Sequence, residues 1–155
     1  MLTIEKSQWD SADSVRLRAA QRRELDGRYG NGDHEPGGEP DAASMTAFLI
    51  ARDSDGRALG CGGLRVPAAG APRAAEIKRM YVDPSARGTG VATALLRALE
   101  TEACVLGVRT VVLETGTAQP DAIRFYEREG YHRIGNFGPY RGEVLSVCYA
   151  RTVTD

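Results

Sequence analysis

The sequence predicts an α+β fold: a mixed, mostly antiparallel sheet with one βαβ unit at its centre, flanked by helices. Three observations predict it. Strand-like segments at 47–51 and 58–66 flank Asp53-Ser54-Asp55-Gly56, a turn sequence that joins antiparallel neighbours. Residues 74–82 read as another strand, followed by a glycine turn, an amphipathic helix and a β-branched run at 108–113. That order implies a right-handed crossover between two parallel, neighbouring strands. The 155 residues show no repeat or shift of composition, which suits a single domain over 1–155 burying about 70% of its unfolded surface.

The elements follow in order. Residues 2–5 suit a short strand. Asp10 or Ser11 offers an N-cap for a helix reaching about Leu25, with Val15, Leu17, Ala19 and Ala20 as its apolar residues. Residues 26–43, rich in Gly, Pro and acid, read as a loop, and a loop of that length in a small protein is commonly functional or flexible. His34 within it lacks a second His or a Cys, so no metal site is expected. After the hairpin, a loop at 67–72 leads to the strand 74–82, which ends at Asp83-Pro84. The helix over 88–106 turns Val91, Leu95, Leu99 and Leu106 to the core and Arg97, Glu100 and Glu102 to water, with Gly107 as its stop. The β-branched, nearly uninterrupted apolar run 108–113 suits a strand buried on both faces. A helix from Pro120 to Glu129, stopped by Gly130, and strands near 131–135 and 144–151 complete the sheet.

Composition narrows the function classes. A net charge of −1 gives no basic field for nucleic acid or anionic lipid, and neither partner is expected. Only Lys6 and Lys78 of the 20 basic residues are lysine, a bias that suits genomic base composition. Cys61, Cys104 and Cys148 are odd in number and far apart, which predicts buried thiols in a reducing compartment. No leader pattern or 18-residue apolar run occurs, so a soluble cytoplasmic protein is the expectation.

The chemistry centres on Arg87-Gly88-Thr89-Gly90-Val91-Ala92, between a strand and a helix. A helix start offers unpaired N–H groups and a positive dipole end, and Gly88 and Gly90 carry no side chain to block an anion. A P-loop would need Lys-Ser or Lys-Thr after the last glycine, where Val91-Ala92 stands. A dinucleotide fingerprint would need a third small residue where Thr93 stands, and no second mononucleotide half is present. Glu114 does end the next strand, where a ribose-binding acid belongs, so the dinucleotide reading stays as the runner-up.

In this setting the chain resembles the GCN5-related N-acetyltransferase (GNAT) superfamily, in its bacterial small-molecule-type branch. Arg87 to Ala92 fits the family's pyrophosphate motif: Gln or Arg, two variable residues, Gly, one variable residue, then Gly or Ala. A second block, Leu113-Glu114-Thr115-Gly116 through Ala122, Tyr126-Glu127 and Gly130-Tyr131, resembles the family's Tyr-Glu segment, with Gln119 in place of the usual Asn. Phe137-Gly138-Pro139-Tyr140 and Ser146-Val147-Cys148 form a third block, and the likeness covers about 45–150.

The resemblance implies central strands that splay apart, with the first one bulged, and direct transfer of an acetyl group from acetyl-CoA to an amine in a ternary complex. Met80, Tyr81 and Val82 would pair with the pantetheine arm. Amides from Arg87 through Gly88, Thr89, Gly90, Val91 and Ala92 to Thr93 would hold the pyrophosphate, with Gln119, Ala122, Phe125 and Tyr126 completing the seat. Tyr126 matches the family's general acid, and the Met80 N–H is the expected oxyanion donor. Glu76 and Glu114 both match a general base, and water or an already deprotonated amine is the alternative to either. Tyr29, His34 and the acidic loop suit a cover over the acceptor, and Arg79, Arg124 and Arg141 suit a clamp on an acceptor carboxylate. A homodimer fits the family's habits. A CoA-binding module without catalysis is the rival class, although a pure binder has no need of the carboxylates and Tyr126.

Overall fold

The computed structural model describes residues 1–30 and 39–154. His34 and the middle of the 26–43 segment lie outside the described residues. Strands β1 (Thr3–Lys6), β2 (Ala47–Arg52), β3 (Ala58–Arg65), β4 (Ala74–Val82), β5 (Thr110–Gly116), β6 (His132–Ile134) and β7 (Ser146–Thr152) join helices α1 (Ala12–Tyr29), α2 (Val91–Val105) and α3 (Pro120–Arg128). The seven strands form one sheet in the order β1-β2-β3-β4-β5-β7-β6. Every pairing is antiparallel except β4 with β5, so the expected mixed, mostly antiparallel sheet with a central βαβ unit is present.

Local chemistry explains the ends of the helices. The Ser11 hydroxyl caps α1 by accepting from the Ser14 N–H at 3.2 Å. The helix runs one turn beyond the predicted stop near Leu25: Gly27 is accommodated inside it, and the left-handed Gly30 ends it. Of its predicted apolar residues Leu17 is buried, whereas Val15 and Ala19 are exposed. The start of α2 is at Val91 rather than 88, because Gly88 and Gly90 both have positive φ.

Two predicted faces of α2 need correction. Leu106 is half-exposed instead of core, since the helix ends before it and Gly107 reverses the chain. Glu100 is buried rather than solvated. It accepts from Arg97, from Arg151 at 2.8 Å and from the Tyr131 hydroxyl at 2.7 Å, so its charge is matched inside the fold.

The sheet has a core on each face. On one side Leu95, Leu96 and Leu99 of α2, each with no exposed surface, pack on Ala75, Ile77, Val111 and Leu113. Each such leucine contributes about 1.5–3 kcal/mol through burial. On the other side Leu17 of α1 covers Phe48, Ile50 and Tyr81, and the turn carrying Phe137 and Tyr140 covers Ala74 and Val112.

A β-bulge in β4 sets up the rest. The β3–β4 register shifts between Cys61 and Gly63, and Arg79 takes φ +61°, a left-handed conformation that costs a side-chain-bearing residue energy. The bulge reverses the alternation of side chains. Ala75 and Ile77 face α2 before it, whereas Met80 and Val82 do so after it, which sends Tyr81 to the α1 side. The parallel pairing runs from Ala74↔Thr110 to Ile77↔Leu113 and stops there, although both strands continue to Val82 and Gly116. The central strands therefore splay from residue 78 onward.

Candidate active site

The splay opens a cleft of about 110 Å³ between β4 and β5, walled by Lys78, Arg79 and Met80 on one strand and Glu114 and Thr115 on the other. Its roof is α1, through Gln21, Leu25 and Tyr29. Gln21 Nε2 donates to the Met80 carbonyl at 2.8 Å, and the Cys61 thiol donates to the Arg79 carbonyl at 3.3 Å, so the bulge is held from both neighbours. Burial pushes the Cys61 thiol up to about 12, which leaves it a neutral donor. Gly116 allows α1 to approach: a Cβ there would meet the Tyr29 hydroxyl oxygen at 1.5 Å.

Beside the cleft lies a groove of about 320 Å³, lined by Met80, Tyr81, Val82, Arg87, Gly88 and Gly90 on one wall. Ala92, Thr93, Gln119, Ala122, Phe125 and Tyr126 complete the contour. Of the residues expected at a cofactor seat, Thr89 and Val91 do not line it. The Thr89 hydroxyl donates to the Ala86 carbonyl, and Val91 is turned into the core as the first residue of α2. Gly90, with φ +90°, has nothing within 4 Å of where a Cβ would stand. The glycine turn thus leaves open space before the helix start, which suits an anion.

Tyr126 lies where groove and cleft meet and lines both. Its ring is buried edge-on between Phe125 and Tyr131, with centroids 5.1 and 5.8 Å away. Among the described residues its hydroxyl has no hydrogen-bond partner, and burial alone raises its pKa, so it stays protonated at neutral pH.

The two candidate carboxylates share one face of the sheet, since Glu76 pairs with Val112, two residues before Glu114, but they stand on opposite sides of the point where the strands part. Glu114 follows the last parallel pair on β5 and lines the cleft, and its Oε2 accepts from the Ser146 hydroxyl at 2.7 Å. Glu76 is not brought to the cleft. It lies fully buried within the paired part of β4, where its Oε2 accepts from the Tyr140 hydroxyl at 2.6 Å. Lys78 Nζ and Arg65 Nη1 each stand 3.8 Å from it, and Lys78 also donates to the Tyr140 hydroxyl at 2.8 Å. This is the environment of a structural counter-charge. Arg79 lines the cleft, while Arg124 and Arg141 are exposed and do not.

Several wall residues were not expected at the site: Gln21, Leu25, Thr115 and Tyr140 in the cleft, and Glu24, Arg28 and Asp121 in the groove. Two signals do point toward them. Gln21, Leu25 and Tyr29 repeat every four residues on α1, and Tyr140 sits in the third block of the sequence. Arg28 donates to both oxygens of Asp121 at 2.8 and 3.0 Å, which holds that carboxyl down at about 2. No group of three or more His, Cys, Asp or Glu side chains among the described residues is placed to hold a metal, and no described helix is long and apolar enough to cross a membrane.

The model of the acetyltransferase (GNAT) family matches residues 7–131. The chain is 40% identical over 100 residues to the IAA acetyltransferase of Azospirillum brasilense, covering 64% of this chain and 63% of that protein. It is 33% identical over 104 residues to an uncharacterized N-acetyltransferase of Schizosaccharomyces pombe, covering 67% and 61%. It therefore spans a little under two thirds of the length of these relatives. A candidate acyl-CoA N-acyltransferase of Klebsiella pneumoniae has a similar structure, with a TM-score of 0.80, 32% identity and 99% of both chains covered. A GNAT family acetyltransferase of Elizabethkingia anophelis with acetyl-CoA bound shares the fold, with a TM-score of 0.68 at 15% identity and 98% of each chain covered.

Proposed function

The chain belongs to the GNAT family of acetyltransferases, and on that premise we propose that it transfers the acetyl group of acetyl-CoA to a primary amine of a small molecule or peptide. One observation carries this reading. Tyr126 stands at the junction of an anion-suited groove and a polar cleft, with Glu114 in the cleft and the β4 bulge along both. The groove residues fit a CoA-type ligand. Gly88 and Gly90 leave the backbone approachable, Arg87 supplies a cation, and the splayed edge at Met80, Tyr81 and Val82 can accept an extended amide chain. Bound there, acetyl-CoA supplies an activated thioester.

The protein's residues then divide the work. Glu114, directly or through a water, takes a proton from the incoming ammonium before attack or from the amine nitrogen as it attacks. The Met80 N–H at the bulge meets the oxyanion that develops as the new C–N bond forms. As the C–S bond breaks, Tyr126 gives its proton to the departing thiolate, a role suited to a phenol that burial keeps protonated. Glu76 takes no step and instead anchors Tyr140 and Lys78 on the cleft wall.

The test is thiol release from acetyl-CoA over a panel of amines, beside a thermal shift with acetyl-CoA and with NAD. Turnover with at least one amine and stabilisation by acetyl-CoA alone are expected. Acetyl-CoA binding with no turnover on any acceptor would return the chain to a binding module, and stabilisation by NAD alone to a dinucleotide binder.

A further inference from the structure

The last two turns of α1 carry two parallel stripes. Gln21, Leu25 and Tyr29 face the cleft, while Glu24 and Arg28 face the groove. Each member of the second stripe grips a different wall. Glu24 Oε1 accepts from Arg87 Nη2 at 2.7 Å, and Arg28 grips Asp121 at the start of α3. The helix is thus strapped across the groove by two ion pairs.

Arg87 does not need Glu24 to hold its place. Its Nε donates to the Val82 carbonyl at 2.9 Å, and its guanidinium lies 5.6 Å from the Tyr81 ring centroid. What Glu24 occupies is the outer guanidinium N–H, the group that a phosphate oxygen would accept from. The two side chains are 38% and 31% exposed, so the pair is weak enough to exchange.

We propose that Glu24 is an internal stand-in anion for the cofactor groove. It holds Arg87 until a phosphate oxygen replaces it, and its release loosens the half of α1 that roofs the acceptor cleft. Cofactor occupancy and the shape of the acceptor side are coupled through Gln21, Leu25 and Tyr29. The inference rests on the reading of the groove as an acyl-CoA seat.

Calorimetry on the full chain with CoA and with inorganic pyrophosphate tests it, comparing wild type, Glu24→Gln and the remote exposed control Glu143→Gln. Glu24→Gln removes a competing carboxylate and should tighten both probes by about two- to five-fold, the range for a half-exposed pair, with the control unchanged. Hydrogen exchange over residues 24–30 should rise on CoA addition in wild type and be raised already in unliganded Glu24→Gln. CoA binding by Glu24→Gln that is equal to or weaker than wild type overturns the inference, as does exchange indifferent to CoA. Wild type that fails to bind CoA removes the cofactor reading itself, and the inference with it.

Discussion

Substituting Glu76 and Glu114 one at a time separates a buried counter-charge from a reacting base. Glu76→Gln keeps an acceptor for the Tyr140 hydroxyl but removes the charge that faces Lys78, which is 8% exposed, and Arg65. Leaving one partner of a buried pair uncompensated costs about 3–5 kcal/mol. The retained hydrogen bond and the 3.8 Å charge separations place this case at the lower end, about 3 kcal/mol. At about 2–4 °C per kcal/mol for a chain of this size, Tm should fall by roughly 6–12 °C. Glu114→Gln keeps its bond from Ser146 and sits at the half-open cleft, so its stability cost should stay below about 1 kcal/mol. Its kcat should fall by about 10²–10⁴-fold with cofactor affinity unchanged. Thermal unfolding and steady-state turnover, measured on both variants below their Tm, make the comparison. A Glu76→Gln protein with wild-type Tm and no turnover, beside a fully active Glu114→Gln protein, would falsify the assignment.

Three further outcomes follow from the same geometry. Tyr126→Phe should lose about 10²–10⁴-fold in kcat at little cost in stability, because the hydroxyl has no hydrogen bond to lose among the described residues. Burial raises its pKa, so the wild-type rate should show no descending limb from this phenol near pH 10; a limb that vanishes in Tyr126→Phe would contradict that. Gly90→Val places a branched side chain at φ +90° on the open side of the groove, and should cost about 1–2 kcal/mol in stability and weaken CoA binding at least about ten-fold by calorimetry. An unaltered Kd would remove the pyrophosphate assignment. Glu100→Gln should destabilise by about 1–2 kcal/mol, since Arg97, Arg151 and Tyr131 converge on that buried carboxylate but both arginines are a third or more exposed, and a Tm within a degree of wild type would show that the charge is dispensable.

The parts of this protein that depend on neighbours in the chain were legible in its sequence. Strand and helix periods, the hairpin at Asp53–Gly56 and the glycine turn before Val91 each rest on a few adjacent residues whose φ, ψ and burial pattern are local matters. The same holds for the spacing of Arg87–Ala92 and of Tyr126 within its block, residues that line the groove or turn beside it. Where the reading went astray, the deciding fact lay on another element. Glu100 looks solvated on its own helix and is buried because Arg151 and Tyr131 arrive from the far end of the sheet. Glu76 and Glu114 look alike as acids on adjacent strands. Only the point at which β4 and β5 part, set by the bulge at Arg79, leaves one of them inside the paired sheet and the other on the cleft wall. Tertiary structure also brought α1 over both cavities, since nothing near Glu24 in the chain specifies that its carboxylate will meet Arg87. The sequence determined a glycine turn at a helix start and a tyrosine in the helix after the next strand. The splay of two strands, which pairing energy favours over one stretch and a left-handed residue interrupts over the next, decided which groups face it.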